Sequence, residues 1–298
     1  MSDDEEQHPG KISRRAVIGA SVGAVAVLAA GAVGVGSLLS VSGRPSPGRT
    51  PSPGGSAMLT VAHHGGSRDW PEMSMLAYRN SVLLGAGALE VSLARTRDGV
   101  WFGLHDATLD RTSGTTDFVA AEHTWAEVSQ HRISAEGTTN PSQPAQPYAR
   151  FEDIVAAFAA THVLYVDPKV VPGTYFPELF AIMSRSPSPQ RSFVAKGYCT
   201  GTDWPTQAAM RGYRGWGYYY ASEVEADAKL LPSTQARWTT LGLDFNGSPA
   251  VWERMRKLGR PVLAHVVPDA PGAETARRRG ASGMIVSGIR EVLSPKGT

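Results

Sequence analysis

Residues 88–106 read ALEVSLARTRDGVWFGLHD, and the fold turns on how the chain crosses Thr96-Arg97-Asp98-Gly99. Two β-like runs, 88–95 and 100–106, flank that segment. A parallel crossover needs a dozen residues or so, whereas Asp-Gly signals a two-residue hairpin. The second run should therefore return antiparallel beside the first. Similar runs occur at LTVAHHG (59–65), HVLYVDPK (162–169), SFVAKGY (192–198), GWGYYYA (215–221), TTLGLDF (239–245), PVLAHVV (261–267) and GMIVSG (283–288). Helical patterns separate most of them, one from Pro71 and others over 151–160 and 251–259. With the hairpin return set aside, eight runs alternate with helices. That pattern predicts a parallel sheet. The expected fold is α/β: a distorted (β/α)8 TIM barrel with an extra hairpin strand and a small insertion over 107–150. A doubly wound open sheet is the lesser alternative.

The chain has 298 residues, 42% hydrophobic and 19% charged, enough for one barrel of about 250 residues. Its net charge of +2 is too small to imply nucleic acid or another polyanion. Cys199 is the only cysteine, which excludes an internal disulfide and a thiolate metal cluster. The first 56 residues read as something other than the fold. Ser13-Arg14-Arg15 precedes a stretch from Ala16 to Leu39 without charge. Twin arginine before an apolar run is the Tat export signal. Residues 1–42 are therefore expected to be a cleaved signal or a retained membrane anchor, and the apolar run is long enough to span a bilayer. Residues 43–56, GRPSPGRTPSPGGS, make a Pro/Gly/Ser linker, and 57–298 form the barrel domain. The expected location is exported: extracellular, in the cell wall, or anchored and facing outward.

If Asp98 and Gly99 form a two-residue loop, Ser92 faces His105 across the hairpin. Directly paired residues project to one side of a sheet, and Glu90 shares that side with Ser92. Should that side be the lumen, the group lies near His63, at the end of the first run. Barrel sites form at the C-terminal strand ends. Asp167 and Lys169 share a face and reach the same rim. Two histidines, two carboxylates and a lysine suit a metal-assisted reaction on an anion. Each residue has an ordinary alternative: Glu90 as a paired charge, His105 as a strand end, Asp167 before Pro168 as a turn former, Lys169 as a solvated side chain. His123, His131 and His162 read as surface or structural, and Asp244 and His265 are weak candidates.

VAHHGGSRDWPEMSMLAYRNSVLLGAGALEVSLARTRDGVWFGLHDATLDRTSG (61–114) resembles the opening of the glycerophosphodiester phosphodiesterase family, whose pattern runs H-R-G, P-E-N-T, E-x-D, K-D-G, H-D and L-x-R-T. The likeness is weaker to about residue 169 and faint beyond. It implies a distorted TIM barrel that hydrolyses glycerophosphodiesters, small or lipid-derived, to glycerol 3-phosphate and an alcohol with a divalent cation, Mg2+ or Ca2+. It makes His63 and His105 the acid/base pair. Glu90, Asp167 and Glu72 become metal ligands, and Lys169 and His64 substrate contacts. Ser92 stands where the family has its second metal carboxylate, and His64 where it has an arginine. Those departures leave open a catalytically weakened member that binds a phosphate-bearing ligand, or a related phospholipase acting on lipid head groups.

Overall fold

The computed structural model describes residues 58–294; the signal or anchor segment and the linker lie outside the described residues. Eight parallel strands close into a barrel: β1 (Leu59–Ala62), β2 (Ala88–Arg95), β6 (Val163–Asp167), β7 (Phe193–Tyr198), β8 (Arg214–Tyr219), β9 (Thr240–Asp244), β10 (Val262–Val267) and β11 (Gly283–Val286). Each strand pairs with the next, and β1 closes the ring by pairing with both β2 and β11. The extra strand β3 (Trp101–Gly103) returns antiparallel on β2, as expected. The short pair β4 (Arg132–Ile133) and β5 (Gln146–Pro147) marks the insertion. That insertion has its own small core, in which Leu109, Val128, Ile133 and Tyr148 pack on Phe102 and Leu104. Among the described residues, no helix is long and apolar enough to cross a membrane.

Val61, Ala88, Tyr165, Val194, Trp216, Leu263 and Ile285 come from seven strands yet form one apolar cluster. Side chains from so many strands meet only inside the barrel. Alternation along a strand then puts Glu90 and Ser92 in the lumen with Ala88, and Asp167 and Lys196 there with Tyr165 and Val194. The larger core lies outside, between the barrel and its helices.

Two local expectations are corrected. The hairpin loop is three residues, not two: Thr96 pairs with Val100 through N–H to O (2.9 Å), and Gly99 turns back with φ +91°. The Thr96 hydroxyl also accepts from Val100 N–H at 2.9 Å. A residue with positive φ after the turn absorbs the third loop position. The register is therefore Leu93 opposite Gly103, and Leu104, not His105, lies across from Ser92 and donates to its carbonyl at 3.0 Å. The helix expected from Pro71 is Met75–Leu83, because Met73 takes a positive φ of 52° and Ser74 caps the helix by accepting from Ala77 N–H at 3.1 Å.

Candidate active site

His63 and His64 leave the end of β1 on a left-handed path. His64 has φ +48°, followed by Gly65 and Gly66 at +76° and +90°. A Cβ on Gly66 would also come within 2.9 Å of Trp70, so two glycines suit this turn. The turn points the His64 N–H at Glu90 Oε2, 2.9 Å away. It also stacks the two imidazoles, with ring centres 3.9 Å apart. The His105 ring lies 5.1 Å from that of His64. His105 reaches the cluster although its register differs from expectation, because β3 ends at Gly103 and the chain then leaves the ladder.

Glu90 is fully buried, with both oxygens engaged. Oε2 accepts from the His64 backbone, and Oε1 accepts from Lys196 Nζ at 3.0 Å and Ser92 Oγ at 3.2 Å. Asp167 sits beside Ser92 in the parallel register, and its Oδ2 lies 3.3 Å from the same ammonium. Burial alone would raise the Glu90 carboxyl. The Lys196 ammonium outweighs it, with smaller help from His64 and His63, and holds the group far below the usual carboxylate range. Glu72 lies 3.6 Å from His64 Nδ1, and its two oxygens accept from Arg111 at 2.8 and 3.0 Å. Burial is again outweighed, here by His64 and Arg111, and Glu72 stays well below its ordinary value.

At the rim, His105 Nδ1 lies 2.7 Å from Asp106 Oδ1, and Asp106 Oδ2 accepts from Arg111 Nε at 2.7 Å. Burial would raise Asp106; the His105 hydrogen bond and the Arg111 charge bring it below its ordinary value. Lys169 Nζ contacts His105 Nε2. The eight residues singled out in the sequence thus fall into one connected group. Three members were missed there: Lys196, Asp106 and Arg111. Asp106 and Arg111 sit inside the HD and LDRT stretches, and Lys196 interrupts an apolar strand at a lumen-facing position. His265 instead packs among Trp216, Tyr218 and Tyr220, with Nε2 against the Tyr219 carbonyl, and His123 stacks on Phe118 in the insertion.

One group of side chains, His63, His64 and Glu90, brings possible metal-ligand atoms within 4.8 Å of one another. Two imidazoles and one carboxylate resemble a zinc-type donor set, whereas Mg2+ and Ca2+ take oxygen ligands. The carboxylate cage implied for those hard ions does not fit the residues present. Glu72 is held by Arg111, Glu90 has donors on both oxygens, Asp167 Oδ2 faces an ammonium, and Ser92 is neutral.

Residues 63–174 match the model of the glycerophosphoryl diester phosphodiesterase family. A glycerophosphodiester phosphodiesterase of Bacillus subtilis is 30% identical over 126 residues, 40% of this chain and 42% of that protein. Glycerophosphodiester phosphodiesterase 1 of Bos taurus is 43% identical over 56 residues, 19% of this chain and 17% of that protein. The matched segment thus spans less than half the length of these curated relatives. The barrel superposes on a glycerophosphodiester phosphodiesterase from Agrobacterium tumefaciens with TM-score 0.64 at 15% identity, covering 80% of this chain and 100% of that one. It also superposes on an Oleispira antarctica phosphodiesterase in complex with the product sn-glycerol-3-phosphate, with TM-score 0.65 at 14% identity, covering 79% and 95%. At such identities the structures establish the shared barrel. Over residues 63–174, then, the chain resembles the glycerophosphoryl diester phosphodiesterase family.

Proposed function

We propose that this protein hydrolyses glycerophosphodiesters to glycerol 3-phosphate and an alcohol, outside the cytoplasm. The observation that carries the reading is the contiguous run of His63, His64 and His105 at the C-terminal strand ends, beside buried Glu90. The product bound to the Oleispira relative supports the substrate class.

The residues divide the work as follows. Asp106 accepts from His105 Nδ1–H, which leaves Nε2 as the basic nitrogen. Lys169 lies against that nitrogen. On substrate entry its ammonium turns to a phosphoryl oxygen and frees Nε2 to take the proton of the attacking hydroxyl, either from water or from the glycerol 2-position, in which case a cyclic phosphate forms and a water opens it in a second step. As the new P–O bond forms and the old one breaks, His63 protonates the departing alkoxide. Arg111 and Lys169 supply positive charge at the rim where the phosphoryl oxygens gain negative charge. Mg2+ and Ca2+ have no part in these steps, because the carboxylates that would hold those ions are already engaged.

Replacing His63 or His105 by Ala should cost several orders of magnitude in turnover across a head-group panel. A His105→Ala variant with wild-type turnover sinks the assignment. Export rests on Ser13-Arg14-Arg15 and the apolar run after it. Replacing both arginines by lysine should trap the protein in the cytoplasm, and unchanged export would refute that part.

A further inference from the structure

Lys196 is almost completely buried, and its ammonium lies between two buried carboxylates, 3.0 Å from Glu90 and 3.3 Å from Asp167. Its outer side faces the Tyr218 ring at 5.3 Å. The position follows from strand order. Ala195 pairs with Val166, so Lys196 lies level with Asp167, which in turn pairs with Ser92. Ser92, Asp167 and Lys196 thus form one layer of the lumen, adjacent to the layer of Glu90.

A buried lysine is costly unless anions meet it. Here two do, and at Glu90 the His64 and His63 imidazoles give only smaller help than the ammonium. A divalent ion on Glu90 Oε1 or Asp167 Oδ2 would lie directly against the ammonium. The charge balance points the same way. Three carboxylates around a divalent cation leave one net negative charge. With Ser92 neutral, two carboxylates and one ammonium also leave one. We infer that Lys196 is the resident cation of this site. Its ammonium holds Glu90 and Asp167 in place of Mg2+ or Ca2+, and the reaction proceeds without a divalent metal. Lys196 acts as a positioning residue: it fixes Glu90, which receives the His64 N–H and so sets the turn that carries His63. The activity arm of the test rests on the phosphodiesterase reading; the binding arm does not.

The experiment compares wild type, Lys196→Arg, Lys196→Met and the double variant Lys196→Met with Ser92→Asp, all as the full chain after exhaustive chelation. Isothermal titration with Mg2+ or Ca2+ alone should give no saturable binding to wild type and no shift in its melting temperature. The double variant, with the ammonium removed and a carboxylate restored, should gain saturable binding and a cation-dependent rise in melting temperature. On a glycerophosphodiester, wild-type turnover should be unchanged by chelator. Lys196→Met should fall by about a hundredfold without added metal, and Lys196→Arg should keep most activity. Saturable Mg2+ or Ca2+ binding to wild type overturns the inference, whether or not the protein turns over. So does loss of wild-type turnover on chelation that any divalent cation restores, an outcome that leaves the phosphodiesterase reading standing. If no substrate is hydrolysed, that reading fails and the titration still decides. If Lys196→Met does not fold, wild type and Lys196→Arg carry both arms.

Discussion

His105 Nδ1 stands 2.7 Å from the carboxylate of Asp106, the next residue in the chain. A carboxylate that accepts there fixes the proton on Nδ1 and presents Nε2 as the base. The contact is local, but its aim is not. Arg111 holds the second oxygen of Asp106 and, through its other nitrogens, both oxygens of Glu72.

Asp106→Asn should therefore leave the fold intact and lower kcat by about 10^2 to 10^4, the range that general acid–base groups contribute. An amide can offer its N–H to the imidazole and stabilise the wrong tautomer. Steady-state kinetics with a circular-dichroism control test this, and wild-type kcat would remove Asp106 from the mechanism.

Acid should unfold the protein in steps set by three carboxylates. Glu90, Glu72 and Asp106 are each held below their ordinary values in the folded state. A lowered folded pKa contributes stability that is present above the unfolded value, about 4, and is lost as pH falls toward the folded one. Urea midpoints should stay flat from neutral pH down to about 5 and then fall steeply. Glu90→Gln should flatten part of that slope; an unchanged slope would show that Glu90 is not ionised in the native state.

Removing the Lys196 ammonium leaves two buried carboxylates without their partner. Lys196→Met should destabilise the protein by about 3–5 kcal/mol, the cost of breaking a buried pair on one side. Lys169→Met, at the solvent rim, should cost less than about 1 kcal/mol. Chemical denaturation of both variants at neutral pH measures the contrast, and equal effects would mean that Lys196 is more hydrated than its burial implies.

Cys199 should resist thiol reagents in the native protein. Burial, with the Glu223 charge, pushes its thiol up to about 12, so little thiolate exists at pH 8. Release of a chromogenic thiol reagent should appear only after denaturant is added.

Gly99→Ala should destabilise by about 1–2 kcal/mol, the cost of a left-handed non-glycine residue. Its new methyl would also meet the Arg95 guanidinium at 3.1 Å. Thermal melts would detect it, and a neutral result would show that the loop reopens at no cost.

Much of this arrangement was legible in the chain. Spacing between β-like runs separated the hairpin from the parallel strands, and period-two alternation put Glu90 and Ser92 on one side. The register slipped by one because the Thr96 hydroxyl bonds to Val100, a contact with no signature in hydrophobic pattern. A one-residue slip moves every side chain to the other face, yet His105 arrives because β3 is too short to carry it away. Lys196 was passed over for a different reason. A lysine in a strand reads as solvated, and its role depends on β7 lying beside β6, a neighbour relation between distant segments. The resemblance gave no help there, since the family match ends at residue 174, before β7 begins.

The strand that leads into the two adjacent imidazoles has β2 on one flank and β11 on the other. One neighbour is synthesised shortly after it, and the other is the last strand of the barrel. The second flank of β1 is therefore filled only by a strand that ends at Val286. The corner that carries His63 and His64 is closed by the pairing most distant along the chain, so a chain truncated before β11 would hold every candidate side chain named above without the strand that completes the ring around the first of them.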